Sequence, residues 1–189
     1  TMDSFGQGLN QLTTLKPDEI QVGILKRLRG APVNRHTTDW RMVYNQNPPY
    51  DVLQTGAIDF ETMQRLKRFA RYWDLIVNSG NFKSTIQFLW SRFPPFESFL
   101  ALSDWLFETT QAVHKISLDR LVQLLLRYLT EELSLNRDEV GPLLLGDYTR
   151  IGRKPPKSLY EFTSKLNQTK TEAPPNSKLP KRQARHALN

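Results

Sequence analysis

The apolar positions of this chain change period several times, and each change marks an element. Phe5, Leu9, Leu12 and Leu15 recur at helical spacing and predict a helix over residues 4–15, weakened by Gly6 and Gly8. Lys16-Pro17 ends it, because a residue before proline disfavours the α region. Next, Ile20, Val22, Ile24 and Leu25 within EIQVGILKRL predict a strand, whose Gly23 would let a ligand or a neighbouring backbone approach closely. A lone strand leaves its edges unpaired, and the chain offers one further strand candidate, around residues 41–44. Residues 27–58 otherwise read as irregular, broken by Gly30, Pro32, Pro48 and Pro49.

Beyond Tyr50 the pattern becomes helical. Asp59 is placed to cap a long helix with the stripe Phe60, Met63, Leu66, Phe69, Trp73 and Ile76, closed by Asn78-Ser79-Gly80. Ser84 is expected to cap a shorter helix through Trp90. Pro94-Pro95 opens a third through about Thr110, with the stripe Phe96, Phe99, Leu102, Trp105 and Leu106. Ser117 caps LDRLVQLLLRYLTEEL, which is apolar on nearly every side, as at a bundle centre or an oligomer contact. A short helix over residues 138–145 follows, and no internal repeat is visible. The expected fold class is mainly α: a small α/β remnant over 1–55, a helical bundle domain over 56–162, and a disordered basic tail over 163–189.

Charge alters the picture only at the C-terminal end. The net charge is +7, but residues 1–150 balance 17 Lys+Arg against 17 Asp+Glu. The last 39 residues carry nine Lys+Arg against Glu161 and Glu172. From Asn167 on, three prolines and few large apolar side chains cannot offset the entropy of ordering. Such a segment is a solvated tail, or a phosphate-binding one in which Lys178, Lys181, Arg182 and Arg185 release counterions from nucleic acid.

Composition narrows the chemistry. The chain has no cysteine, so it holds no disulfide, thiol nucleophile or thiolate-bound cluster of its own. No apolar run approaches the roughly 18 to 20 residues of a membrane span, and no secretory signal is evident. A cytoplasmic protein is expected. Gly6-Gln7-Gly8 follows no strand, as a dinucleotide loop would, and His36, His114 and His186 have no metal-ligand spacing. Asp18-Glu19, Glu131-Glu132 and Asp138-Glu139 sit at element ends, where capping and solvation explain them. Arg65, Lys67, Arg68 and Arg71 read as a partly paired helix face, with Glu61 and Asp74 in reach. The tryptophan stripe reads as core. No autonomous active site emerges from these residues, which leaves a helical interaction module with a basic tail, binding nucleic acid or an acidic partner, as one reading.

Four stretches carry a more specific signal: PDEIQVGILKRLRGAP, NPPYDVL, RLKRFARYWDLIVNSGNF and KRQARH. With them, the chain resembles the C-terminal part of cobalamin-binding-domain-containing radical SAM proteins, in which a domain of unknown function follows the barrel. The resemblance implies a parent enzyme with a cobalamin-binding domain and a partial α/β barrel. Its CxxxCxxC motif would hold a four-iron–four-sulfur cluster that cleaves S-adenosylmethionine. It further implies that residues 20–25 are the last barrel strand and that the chain begins inside a barrel, whose remainder is its partner. Gln21, Gly23, Arg29 and Gly30 would then border the S-adenosylmethionine or substrate cavity, since ligands gather at the C-terminal ends of barrel strands. The loop departs from the family's Gly-Thr-Pro in having Ala31 before Pro32. With no catalytic residue or metal ligand of its own, the isolated chain is expected to be inactive.

Overall fold

A computed structural model describes residues 1–163. The expected tail lies, from residue 164 on, outside the described residues. Helices dominate, as expected, and the strands are few and short.

Helix α1 (Met2–Thr14) starts in a capping box, Thr1 accepting from the Ser4 backbone at 3.2 Å. It lies against α4 (Pro95–Thr110). Gly6 explains the closeness: a Cβ there would stand 2.4 Å from Cδ1 of Phe96. Lys16, at φ 50°, turns the chain where the proline pair predicts a stop.

The strand expected over residues 20–25 does not form. Among the described residues this stretch has no ladder partner, and the nearest pairing is an isolated antiparallel bridge between Lys26 and Asp51. Two backbone bonds flank that bridge, Val52 N–H to the Leu25 carbonyl at 2.8 Å and Arg27 N–H to the Tyr50 carbonyl at 2.9 Å. Apolar alternation predicts an extended backbone, but a strand needs a neighbour at ladder distance, and here side chains take that place. Ile20, Val22 and Ile24 are half-buried and Leu25 is exposed. The stretch is therefore neither sealed inside the chain nor paired along its length.

Strand β1 (Val43–Tyr44) pairs antiparallel with β2 (Val52–Gln54), Tyr44 opposite Val52. β2 falls within the span that reads as irregular, because only five residues separate the prolines from Thr55-Gly56 and the strand takes three of them. Tyr44, Val52 and Met63 form a small core with Ile24, Met42 and Ile58 around it.

Helix α2 (Phe60–Trp73) is capped by Asp59, whose Oδ1 accepts from Thr62 N–H at 2.8 Å, and runs on through a π-turn, Asp74–Asn78. Gly80, at φ 67°, takes the left-handed position after it. Helix α3 (Lys83–Trp90) is not capped by Ser84, which lies inside the helix. The cap comes from α6 (Arg137–Arg150), where buried Asp147 accepts from the N–H of Ser84 at 3.0 Å and of Thr85 at 2.8 Å. Helix α5 (Leu118–Arg127) has the expected Ser117 cap and continues as a π-turn, Tyr128–Glu132. Its apolar residues from Leu121 to Leu126 are buried within this chain, so it is a bundle centre.

One core runs from Leu9 of α1 to Phe162, with Trp73, Phe99 and Leu125 fully enclosed. α1 joins the helical core, while Ile24, Met42 and Ile58 surround the smaller one. No helix among the described residues is long and apolar enough to cross a membrane.

Candidate functional site

The stretch RLKRFARYWDLIVNSGNF fixes two neighbouring segments to α2. On one side Tyr72 donates its hydroxyl to the Ala112 carbonyl at 2.7 Å, and Arg71 Nε donates to the Val113 carbonyl at 3.2 Å, holding the link between α4 and α5. On the other, Trp73 Nε1 donates to the Ile20 carbonyl at 3.0 Å. Asn78 accepts from Ile20 N–H at 3.2 Å and donates to its carbonyl at 3.1 Å. Phe69 and Trp73 stack at 5.5 Å, and Trp73 stacks on Trp90 at 5.6 Å, so the stripe is core. Arg65 pairs with Asp104 of α4 at 2.8 Å rather than with Glu61, Lys67 with Asp51 at 3.2 Å, and Arg71 with Asp74 at 3.7 Å. The basic helix face is thus tied to its neighbours.

Two clefts flank the held segment. The larger, about 720 Å³, runs between residues 16–20 and the end of α2 with α3. Trp73, Ile76, Phe82 and Ile86 line it, with Asp18, Glu19, Lys16 and Lys83 mixing charge around it. The smaller, about 470 Å³, opens at the turn after Lys26 and is lined by Arg27, Arg29, Gly30, Asn34, Gln46 and Tyr50 among others. No carboxylate lines this turn cleft.

Of the four site residues inferred from the sequence, Arg29 and Gly30 line the turn cleft together. Gln21 and Gly23 are exposed and line neither cleft. A Cβ on Gly23 would meet no heavy atom within 4 Å, whereas Gly30 has a conformational reason to be glycine, at φ 76°. Sequence reading missed Arg27, Asn34 and Gln46; nearness to the Gly30 turn was a signal for Arg27 and Asn34, and Gln46 had none.

With no cysteine, this chain offers no thiolate for an iron–sulfur cluster, and among the described residues no group of three or more His, Asp or Glu could hold a metal. The residues present do not fit a cluster, and the four inferred residues do not converge into one cradle for S-adenosylmethionine.

The hydroxyls whose acidity the fold shifts lie outside both clefts. Burial, with Glu132 and Asp104 nearby, pushes Tyr128 up to about 12. Burial raises Tyr72 as well. It does the same for Tyr148, where the hydrogen bond to Asp119 acts in the same direction. What the clefts offer is binding: a charged rim over aromatic walls in one, cationic and amide groups in the other.

A sequence model of the family described as "Protein of unknown function (DUF4080)" matches residues 38–187. No curated protein and no solved structure matches the chain. The matched range takes in β1, β2 and α2 to α6, and leaves out α1 and the extended segment with its Gly30 turn.

Proposed function

The chain belongs to the DUF4080 family, and from that premise we propose that it is the C-terminal region of a radical SAM enzyme, without catalytic activity of its own. S-adenosylmethionine, the four-iron–four-sulfur cluster and cobalamin belong to the parent enzyme in this reading, and the partner of this chain is the remainder of the barrel. NPPYDVL, RLKRFARYWDLIVNSGNF and KRQARH lie inside the matched range, while PDEIQVGILKRLRGAP precedes it, as the end of an adjoining domain would.

One observation carries the reading. Residues 20–25 are extended and apolar, fastened at Ile20 by two side chains, yet without a ladder partner among the described residues. Unpaired extended backbone of this kind is the template for a neighbouring strand. The helical domain would then hold the last barrel strand through Trp73 and Asn78.

The test has two parts. The reading frame encoding this chain is expected to continue upstream of Thr1 through a CxxxCxxC motif; a frame without it would sink the parentage. The chain alone, supplied with iron, sulfide, a reductant and S-adenosylmethionine, is expected to yield no 5′-deoxyadenosine, and its formation would refute the inactive-alone part.

The segregated charge favours a second reading, an interaction module whose basic C-terminal segment binds nucleic acid. A steep loss of nucleic-acid affinity with salt, abolished by removing residues 167–189, would support it; a flat response would end it.

A further inference from the structure

We propose that the turn cleft binds a phosphate-bearing ligand of about mononucleotide size. The cleft is built wholly from this chain, so the inference stands apart from the parent-enzyme reading.

Charge points there first. Although residues 1–150 are balanced overall, residues 26–41 hold Lys26, Arg27, Arg29, Arg35 and Arg41 against a single acid, Asp39. All five cations are exposed, and among the described residues none of them forms an ion pair. Further along, Arg65, Arg71, Arg92, Arg127, Arg137 and Arg153 each face a carboxylate. Of these, Arg27 and Arg29 line the cleft; like charges without a counter-charge repel one another, and an arriving anion relieves that repulsion. The arginine fork matches phosphate oxygens in pairs.

The backbone adds donors at the same place. The turn is closed by Ala31 N–H to the Leu28 carbonyl at 3.1 Å, with Gly30 at φ 76°. Among the described residues the N–H groups of Arg29 and Gly30 have no protein acceptor. Successive free N–H groups beside a left-handed residue favour an anion. Two guanidinium groups and two such amides supply more donors than a carboxylate can accept, which favours phosphate.

The rest of the lining fits the remainder of a nucleotide. Asn34 donates Nδ2 to the Leu28 carbonyl at 3.1 Å, which fixes its amide, and its Oδ1 is buried without a donor. Gln46 adds a second amide, and Tyr50, 42% exposed, offers a ring face for stacking. At about 470 Å³ the cleft lies within the usual range of small-molecule sites.

Titration calorimetry of the full chain with AMP, inorganic phosphate and adenosine tests the assignment. AMP is expected to bind saturably and adenosine at least about tenfold more weakly, because the phosphate supplies the charge-assisted bonds. AMP binding tighter than inorganic phosphate identifies a nucleoside phosphate; equal binding identifies the free anion, and both support a phosphate site. Arg29→Glu, at an exposed position, is expected to weaken AMP at least about tenfold with the circular dichroism unchanged. Arg120→Glu on α5, outside the cleft, is expected to leave it intact. No binding by AMP or phosphate, adenosine binding as well as AMP, or equal losses in the two variants would each overturn the proposal.

Discussion

The side-chain amide of Asn78 brackets the backbone of Ile20, accepting its N–H through Oδ1 at 3.2 Å and donating to its carbonyl through Nδ2 at 3.1 Å. Asn78 is only 3% exposed, and Ile20 is half-buried, so these bonds are partly screened from water. One side chain thus does for one residue what a neighbouring strand does along a ladder. Asn78→Ala leaves the half-buried Ile20 N–H without its acceptor, while the carbonyl keeps Trp73 Nε1, and is expected to lower stability by about 1–3 kcal/mol. Urea denaturation measures this, and limited proteolysis is expected to cut first within residues 16–25. An unchanged midpoint and unchanged cleavage would show that Trp73 alone holds the segment.

Asp147 supplies the cap that α3 lacks locally. Its carboxylate receives Ser84 N–H at 3.0 Å, and Thr85 through both N–H and hydroxyl at 2.8 Å. It is 1% exposed, with Arg150 at 3.8 Å. Removing the carboxylate strands those donors and leaves Arg150 without its counter-charge. Asp147→Ala is therefore expected to cost about 2–4 kcal/mol, more than a surface cap. Ser84→Ala is expected to cost far less in the same melt, since the Ser84 hydroxyl is not the cap.

Gly6 and Gly8 look alike in the sequence and are opposite in the fold. A Cβ on Gly6 would enter the Phe96 ring, 2.4 Å from its nearest atom, whereas one on Gly8 meets nothing within 4 Å. Gly6→Ala is expected to destabilise by about 1–3 kcal/mol through overpacking between α1 and α4. Gly8→Ala is expected to stabilise by up to ~1 kcal/mol, because alanine suits a helix interior better. Thermal denaturation of the two variants gives shifts of opposite sign.

Tyr128 sets an alkaline limit on stability. Its hydroxyl is held to about 12 by burial and by Glu132 and Asp104, against an ordinary value of 10.0. Weakened acidity in the folded state means that the folded form keeps a proton which the unfolded form releases. The resulting stability is fully present below pH 10 and is lost between pH 10 and about 12, by up to ~3 kcal/mol. Urea midpoints measured across that window are expected to fall, and Tyr128→Phe is expected to flatten the fall.

Most of the helical layout was legible from the chain. The Asp59 and Ser117 caps, the Gly80 terminator and the Pro94-Pro95 break are local signals, set by the backbone chemistry of a few adjacent residues. Ile20 to Leu25 misled, because alternation records an extended backbone with apolar side chains and says nothing of what lies alongside. The Ser84 cap misled for a related reason: a serine beside a helix start is a local cue, and a carboxylate from 63 residues away displaced it. The turn cleft was half visible, through Arg29 and Gly30, since Gln46 and Tyr50 reach it only once the chain folds back at β1 and β2.

By itself, then, the amino-acid order determined where α2, α4 and α5 begin, that the centre of α5 is buried, and that no thiolate chemistry resides in this chain. Those properties follow from periodicity, capping and composition, which act over a turn or two of backbone. Only the tertiary structure decided that Asn78 and Trp73 hold Ile20, that Asp147 caps α3, and that Arg27 and Arg29 line the turn cleft without a carboxylate. Each of these joins groups remote in sequence or depends on the lack of a partner in space, and hydrogen bonds and charges are matched by distance rather than by order along the chain.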